Sequence, residues 1–214
     1  MSFSDYLTAI PQPLGTVFVV DDDEAVRDSI RWLLESSNYK VELFDSGESF
    51  MAHYDPSQLG VLLLDVRMNG MSGLEVQDHL LNRKSDLPVI MLTAYGDVQM
   101  AVTALKKGAV DFIEKPFDHA ALRQLVEKML VEAGRRRQKN EREVQGQQKM
   151  AKLTPRERQV LERIVAGRLN KQIADDLGIS IKTVEAHRAS IMDKTASGTV
   201  ADLMRVVMDS GERL

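Results

Sequence analysis

The chain has 214 residues, a formal net charge of -4 and no cysteine, which excludes a disulfide framework and a thiolate metal site. Its 43% share of hydrophobic residues is ordinary for a globular protein and is enough for a core. The first residues show neither the basic segment nor the apolar stretch of a signal peptide. No apolar run approaches the roughly 18 residues of a membrane helix. We therefore expect a cytoplasmic protein without membrane contact.

The charge is distributed unevenly along the chain. Residues 1–133 contain 11 Lys and Arg against 21 Asp and Glu, a balance of -10. Residues 134–214 contain 17 Lys and Arg against 11 Asp and Glu, a balance of +6. An acidic half followed by a basic half predicts two domains with different partners, and nucleic acid is a candidate partner for the second.

Short apolar runs alternate with amphipathic segments over the first 130 residues. The runs, which we interpret as strands, are Thr16–Val20, Lys40–Phe44, Val61–Leu64, Val89–Leu92 and Val110–Ile113. Strands that alternate with helical patterns predict a parallel sheet covered by helices on both faces. Five such units in this length are typical of a flavodoxin-like (βα)5 fold, which we assign to residues 14–132.

A long helix is predicted from about Asp118 past Leu130, and it passes into a charged segment without apolar periodicity. We interpret residues 133–150 as a solvated linker, either helical or frayed. The basic cluster from Arg135 to Arg137 is weak evidence for contact with DNA phosphates.

Residues 151–214 show a pattern of short helices. Thr154, Pro155 and Glu157 form the signature of a capping box at the first helix. The remaining boundaries are Gly167 and Gly178 as helix ends, Ser180 as a cap and Gly198 before a fourth helix. Two helices joined by a tight turn that contains glycine predict a helix-turn-helix DNA-binding domain.

Polar side chains follow four of the predicted strands at the point where each strand ends. They are Asp21, Asp22 and Asp23 after the first strand, Asp65 after the third, Thr93 after the fourth and Lys115 after the fifth. Each has an ordinary explanation as a cap or a surface residue, but the carboxyl ends of parallel strands meet at one edge, where ligands bind. Clustered carboxylates repel one another and favour Mg²⁺, which prefers oxygen ligands. A carboxylate beside this ion can attack phosphorus, so Asp65 is the candidate phosphate acceptor.

The motifs VVDDDEAVR, LLLDVRMNGMSG, VIMLTAYGD and AVDFIEKPF resemble those of the receiver domains of two-component response regulators. The resemblance implies that a sensor histidine kinase phosphorylates Asp65 and that Lys115–Pro116 is a cis peptide. It further implies that Asp21, Asp22, Asp65 and the backbone carbonyl of Arg67 hold Mg²⁺. Thr93 and Lys115 would then be the conserved hydroxyl and lysine of these domains. Phe112 would be the aromatic residue that changes rotamer in the switch. Asn69 stands where these domains usually have proline, and we expect altered loop rigidity rather than lost acceptor chemistry.

The segment from Leu153 to Lys194 resembles the LuxR-type helix-turn-helix, and both domains together resemble the FixJ/NarL class, with VEAHRASIM leaning toward FixJ. In its third helix we expect Ile181, Val184, Ile191 and Met192 to face inward. The predicted DNA-binding residues are Asn170, Lys171, Lys182, Thr183, Glu185, Ala186, His187, Arg188 and Lys194. The cations would contact phosphates, Glu185 would accept from cytosine and Ala186 would pack on a thymine methyl group.

The fourth helix of this domain resembles the dimerisation helix of the class. We expect it to run from about Val200 to Met208, and its predicted apolar stripe is Val200, Leu203, Met204 and Val207.

These observations predict a transcriptional regulator rather than an enzyme. Phosphorylation of Asp65 would promote homodimerisation and binding to promoter DNA, with RNA polymerase as a further partner. One alternative is a Mg²⁺-dependent phosphatase or phosphotransferase, but Arg67 stands two residues after Asp65, where a second carboxylate would be needed. Another is a constitutive DNA binder with a vestigial receiver, which the departure at Asn69 leaves open.

Overall fold

The structure is a computed structural model that describes residues 15–94 and 98–212, without the side chains of residues 98–101. Residue 14 of the predicted receiver domain, Tyr95 to Asp97 of its fourth motif, and residues 213 and 214 lie outside the described residues. The chain divides into two compact units between Arg137 and Gln138. Within the described ranges, no helix has the length and apolar character needed to cross a membrane.

The first unit is built on a five-stranded parallel sheet with strand order β2-β1-β3-β4-β5. Its elements in chain order are β1 Thr16–Val20, α1 Glu24–Glu35, β2 Lys40–Phe44, α2 Gly47–His53, β3 Gly60–Asp65, α3 Gly73–Asn82, β4 Val89–Thr93, α4 Val98–Lys106, β5 Asp111–Glu114 and the part of α5 His119–Ala151 that ends at Arg137. The predicted flavodoxin-like fold is confirmed. The strands β3 and β4 extend to include Asp65 and Thr93, so these polar residues are the last of their strands.

The core of this unit consists of two apolar layers, one on each face of the sheet. Successive side chains of a strand point to opposite faces. Val17 and Val19 therefore belong to one layer, and Phe18 and Val20 belong to the other. The strands β1, β3 and β4 are buried along their whole length, whereas β2 and β5 lie at the edges of the sheet and are partly exposed. Burial on both faces explains why the sequences of β1, β3 and β4 are almost continuously apolar.

The second unit contains four short helices, which are α6 Pro155–Val165, α7 Asn170–Leu177, α8 Ile181–Thr195 and α9 Val200–Ser210. The predicted capping box is confirmed, because the Glu157 N–H donates to the Thr154 hydroxyl and the Glu157 carboxylate accepts from the Thr154 N–H. The Ser180 hydroxyl caps α8. Gly178 ends α7 with a φ of 62°, a left-handed conformation that favours glycine.

The helix α5 continues through the segment that we predicted as a linker, so the helical form of that prediction is confirmed. Its last turns do not fit a solvated linker, because Gly146 and Met150 are buried within the second unit. A Cβ atom on Gly146 would lie 2.7 Å from the backbone nitrogen of Ser210, near the end of α9. Gly146 and Met150 are one helical turn apart, and this spacing was overlooked because glycine adds no apolar signal.

Two glycines of the same helix predict opposite effects of substitution by alanine. Gly134→Ala is expected to stabilise the first unit by up to about 1 kcal/mol, because alanine favours the helix. The nearest neighbour of its new Cβ is a Leu59 side-chain carbon at 3.9 Å. Gly146→Ala is expected to destabilise the second unit by about 1–3 kcal/mol, because its Cβ overlaps backbone atoms. Urea unfolding of the full chain measures both, and a stabilising Gly146→Ala would contradict the close packing.

Candidate phosphorylation site and nucleic-acid interface

The carboxyl edge of the sheet brings the predicted polar residues together. In the register of the parallel strands, Val20 of β1 pairs with Leu64 of β3, and Asp65 pairs with Leu92 of β4. Asp21 and Asp65 therefore emerge side by side. Ligand oxygens of Asp21, Asp22 and Asp65 all lie within 4.8 Å of one another. A set of three carboxylate oxygens is the hard donor set that suits Mg²⁺, so the residues present fit this ion.

Lys115 bridges two of these carboxylates. Its ammonium nitrogen Nζ donates to Asp21 Oδ2 at 2.6 Å and to Asp65 Oδ1 at 2.9 Å. Asp21 is completely buried, and its other oxygen accepts from the backbone N–H of Asp23 at 3.0 Å. The Arg27 guanidinium donates to the carbonyl oxygen of Asp21 at 2.6 Å. Because Lys115 partly neutralises the two carboxylates, the sheet can hold them away from water.

The environment shifts the pKa values of both partners. Burial raises the pKa of Asp65 to about 6, the bond and charge of Lys115 oppose this effect, and the charges of Asp21 and Asp22 add to it. Burial also acts to lower the pKa of Lys115, but its bonds to Asp21 and Asp65 outweigh this and raise the value. Lys115 therefore stays charged at neutral pH, and most of Asp65 is ionised above pH 7.

Asn69 contacts the third carboxylate, which sequence reasoning did not anticipate. Its backbone N–H donates to Asp22 Oδ2 at 3.2 Å, and its side-chain Nδ2 donates to the same oxygen at 2.9 Å. The sequence indicates altered loop rigidity at this position, and the structure adds a direct contact with the acidic cluster. The sequence does show that Asn69 carries an amide and lies in the loop after the strand that ends at Asp65. It does not show the contact with Asp22, because the two residues are 47 positions apart.

The other predicted site residues lie at or near the same edge. Thr93 is buried, and its hydroxyl donates to the carbonyl oxygen of Ala94 at 3.2 Å. Phe112 of β5 is 36% exposed. The Lys115–Pro116 peptide bond is cis, as the resemblance implied. Arg67 lies on the loop that follows β3, and the role of its carbonyl oxygen stays a prediction.

The helix α8 presents a polar surface on one side and packs on the other. Val184 and Ile191 are buried, and Met192 packs against the same core, as predicted. Ile181 was predicted to face inward, but it is 46% exposed. It is the first residue of α8 and lies before the turn that reaches the core, so the prediction was wrong for this residue.

The predicted DNA-binding residues differ in their exposure. Lys171, Lys182, Glu185 and Ala186 are exposed, whereas Asn170, Thr183, His187 and Arg188 are half-buried. The Thr183 hydroxyl shares a 2.8 Å hydrogen bond with Ser180 at the start of α8. The exposed members of this set on α8, which are Lys182, Glu185 and Ala186, leave one face of this helix accessible.

Lys194 does not fit the predicted contact with DNA. Its ammonium group donates to both carboxylate oxygens of the buried Glu157, at 2.9 Å and 2.7 Å. Burial acts to raise the pKa of Glu157, but hydrogen bonds from Lys194, Ser190 and Thr154 outweigh it and hold the pKa at about 2. The charge of Lys194 is thus used to tie α8 to the start of α6. Lys194 and Glu157 are 37 positions apart in the sequence, so their ion pair could not be predicted from a local pattern.

Two of the four residues in the predicted apolar stripe of α9 face the core of their own unit. Leu203 and Val207 are buried in the core of their own unit, together with Val206, so they are not available to a second copy. On another side of the helix, Val200 is 44% exposed, Met204 is half-buried and Met208 is 77% exposed. Apolar residues occupy both sides of α9, and periodicity alone could not tell which side faces the core.

Comparisons with known proteins also divide the chain into two domains. A family model described as the response regulator receiver domain matches residues 17–127, and one described as bacterial regulatory proteins of the luxR family matches residues 151–207. The chain is 39% identical to the transcriptional regulatory protein FixJ of Bradyrhizobium diazoefficiens, over 92% of this chain and 96% of that protein. It is 43% identical to the transcriptional regulatory protein TdiR of Thauera aromatica, over 91% and 86%.

Solved structures show the same architecture. The response regulator StyR is 44% identical, with a TM-score of 0.81 over 90% of this chain and 98% of that one. Full-length FixJ from B. japonicum is 37% identical, with a TM-score of 0.59 over 93% and 98%. The fold and the acidic edge define a receiver joined to a LuxR-type DNA-binding domain. The chain belongs to the response regulators of two-component systems that act as transcriptional regulators of the FixJ type.

The raised pKa of Asp65 predicts a pH-dependent effect of Asp65→Asn. A carboxyl whose folded pKa lies above its unfolded value destabilises the fold once it ionises, so the penalty is absent below about pH 4 and complete above about pH 6. In the presence of a chelator, Asp65→Asn should stabilise the receiver by about 1–3 kcal/mol at pH 8 and have little effect at pH 4.

Urea unfolding at a series of pH values measures this difference. The control is Asp55→Asn. Hydrogen bonds from the Ser57 hydroxyl and backbone lower the pKa of Asp55, so this substitution should not stabilise the fold at high pH. A stabilisation by Asp65→Asn that does not change between pH 4 and pH 8 would contradict the raised pKa.

Proposed function

We propose that Asp65 accepts a phosphoryl group from a histidine of a sensor kinase. In this transfer a bond forms between a carboxylate oxygen of Asp65 and phosphorus, while the bond from phosphorus to the kinase imidazole nitrogen breaks. The observation that carries the proposal is the position of Asp65, at the end of β3 beside Asp21 and Asp22 and 2.9 Å from the Lys115 ammonium. The ionised carboxylate is the nucleophile that the reaction needs.

The roles proposed for the other site residues are those that the resemblance to receiver domains implies. Asp21, Asp22, Asp65 and the carbonyl oxygen of Arg67 would hold Mg²⁺, which neutralises charge on phosphoryl oxygens when it is bound. Lys115 supplies a compact positive charge within reach of Asp65. The Thr93 hydroxyl donates to a neighbouring carbonyl oxygen at 3.2 Å, and it could donate to a phosphoryl oxygen instead.

The phosphorylated receiver would then change the behaviour of the whole chain. We propose that Thr93 turns toward the phosphoryl group and that the exposed Phe112 ring follows it inward, which changes the surface formed by α4, β5 and α5. The phosphate thereby biases an equilibrium between two existing states. The active state would be a homodimer that binds promoter DNA and engages RNA polymerase. The exposed side of α9, with Val200, Met204 and Met208, is available as part of the dimer surface.

Phosphorylation is tested by intact mass after incubation with acetyl phosphate and Mg²⁺. The wild-type chain is expected to gain one phosphoryl group, because Asp65 is the carboxylate placed to attack phosphorus. Asp65→Ala, and the wild-type chain in a chelator, are expected to gain none. The control Asp86→Ala removes a carboxylate outside the cluster and should be phosphorylated like the wild type. An equal adduct on Asp65→Ala would contradict the assignment.

The same samples distinguish the rival functions. Sedimentation before and after phosphorylation measures the fraction of dimer. This fraction should increase in the wild type and not in Asp65→Ala. A wild-type chain that gains no phosphoryl group from acetyl phosphate or from its kinase, with rapid hydrolysis excluded, would favour a vestigial receiver. Steady hydrolysis of a phosphoester in excess over protein would instead favour the enzyme.

The two lysines of α8 predict different results from the same substitution. Lys182→Ala should leave the fold intact, weaken binding to a short duplex of mixed sequence and reduce the slope of log affinity against log salt by about 1, because one phosphate contact is lost. Lys194→Ala should instead destabilise the second unit by about 3 kcal/mol, because it leaves the buried Glu157 carboxylate without its cation.

Salt titrations of DNA binding and urea unfolding separate the two lysines. Unchanged DNA affinity in a folded Lys182→Ala, or a Lys194→Ala as stable as the wild type, would contradict the respective roles.

A further inference from the structure

The three carboxylates of the acidic cluster are oriented by different groups. Asp21 accepts from the Asp23 N–H and from Lys115, and Asp65 accepts from Lys115. Both are therefore held by residues that belong to the strands or follow them directly. Asp22 is exposed, and among the described residues Asn69 alone donates hydrogen bonds to its carboxylate.

Asn69 is well placed to fix this carboxylate. It makes two contacts, at 3.2 Å from the backbone N–H and at 2.9 Å from Nδ2, and both reach the same oxygen, Oδ2. Two donors on one oxygen restrict rotation of the carboxylate and leave Oδ1 for another ligand. An exposed aspartate without such contacts samples several rotamers and loses that freedom when it binds an ion.

We propose that Asn69 is a positioning residue for a divalent cation, which orients Asp22 and so raises the affinity of the acidic cluster for Mg²⁺. This inference rests on the proposed phosphoacceptor function, which uses the same cluster. Hydrogen-bond partners of metal ligands typically contribute 10- to 100-fold to affinity. Asn69 acts on one ligand at an exposed position, so we expect an effect at the lower end of that range.

The loop that carries Asn69 provides a matched control. Glu48 of α2 holds the same loop at its other end, where Glu48 Oε1 accepts from the Met71 N–H at 2.8 Å. Glu48→Ala therefore loosens the loop without removing a donor to Asp22. Asn69→Ala removes the side-chain donor and keeps the backbone N–H, whereas Asn69→Pro removes both donors because proline has no N–H.

The test is a titration of the full chain with Mn²⁺, in which the electron paramagnetic resonance signal counts the free ion, followed by competition with Mg²⁺. Asn69→Ala is expected to bind about tenfold more weakly than the wild type. Asn69→Pro should bind at least as weakly as Asn69→Ala, and Glu48→Ala should bind like the wild type. Equal affinity of Asn69→Ala and the wild type, or an equal loss in Glu48→Ala, would overturn the proposal.

A kinetic measurement separates positioning from a general defect. The Mg²⁺ concentration that gives half the maximal rate of phosphorylation by acetyl phosphate should rise in Asn69→Ala by the same factor as the dissociation constant. The rate at saturating Mg²⁺ should not change, since Asp65, Thr93 and Lys115 are intact. A lower saturating rate with an unchanged Mg²⁺ requirement would contradict the positioning role.

The outcomes for the wild-type chain keep the two proposals distinguishable. If the wild type binds Mn²⁺ and accepts phosphate while Asn69→Ala does so at the same ion concentrations, only the role of Asn69 fails. If the wild type binds no divalent ion, the metal site itself is contradicted, and the role of Asn69 fails with it.

Discussion

The bridge from Lys115 to Asp21 and Asp65 is the interaction on which the candidate site depends. Two carboxylates in a largely buried place would repel each other and remain poorly hydrated, and the ammonium group relieves both effects. The compensation is incomplete, because in the described part of the chain Lys115 is the cation bonded to these carboxylates, which number three when Asp22 is included. The remaining negative charge makes the site receptive to a divalent ion. Burial, with a smaller contribution from the charges of Asp21 and Asp22, keeps the pKa of Asp65 raised despite its bond to Lys115.

The parallel sheet is what makes this bridge possible. Lys115 is 94 residues from Asp21 and 50 from Asp65 along the chain, yet all three follow or end strands that run in the same direction. Helices cover both faces of the sheet, so its carboxyl edge is where polar groups can reach solvent. The buried central strands fix the backbone positions of this edge. A change in the packing of β1 or β3 would therefore displace the carboxylates together with the strand.

The sequence was sufficient for the sheet, its helices and the members of the acidic edge, because each depends on a local pattern. Apolar runs with a polar residue at the end predict both the strand and the place where its function emerges. Contacts between side chains distant in sequence were not predictable in the same way. The bonds from Asn69 to Asp22 and from Lys194 to Glu157 require knowledge of which loops and helices lie together. The side of α9 that faces the core depends on α6 and α8 and is likewise not a local property.

The bond between Lys194 and Glu157 also bears on how the DNA-binding surface is used. Glu157 lies in the first turn of α6 and accepts from both Ser190 and Lys194 of α8, while Thr154 completes its hydrogen bonds. The orientation of α8 within its own unit is thus fixed by groups that belong to that unit. The same contacts orient the exposed residues Lys182 and Glu185 of α8 within the unit. In the proposed function, a phosphoryl group on Asp65 would therefore act on the access to this surface or on the number of copies that present it, rather than on the orientation of α8 within its unit.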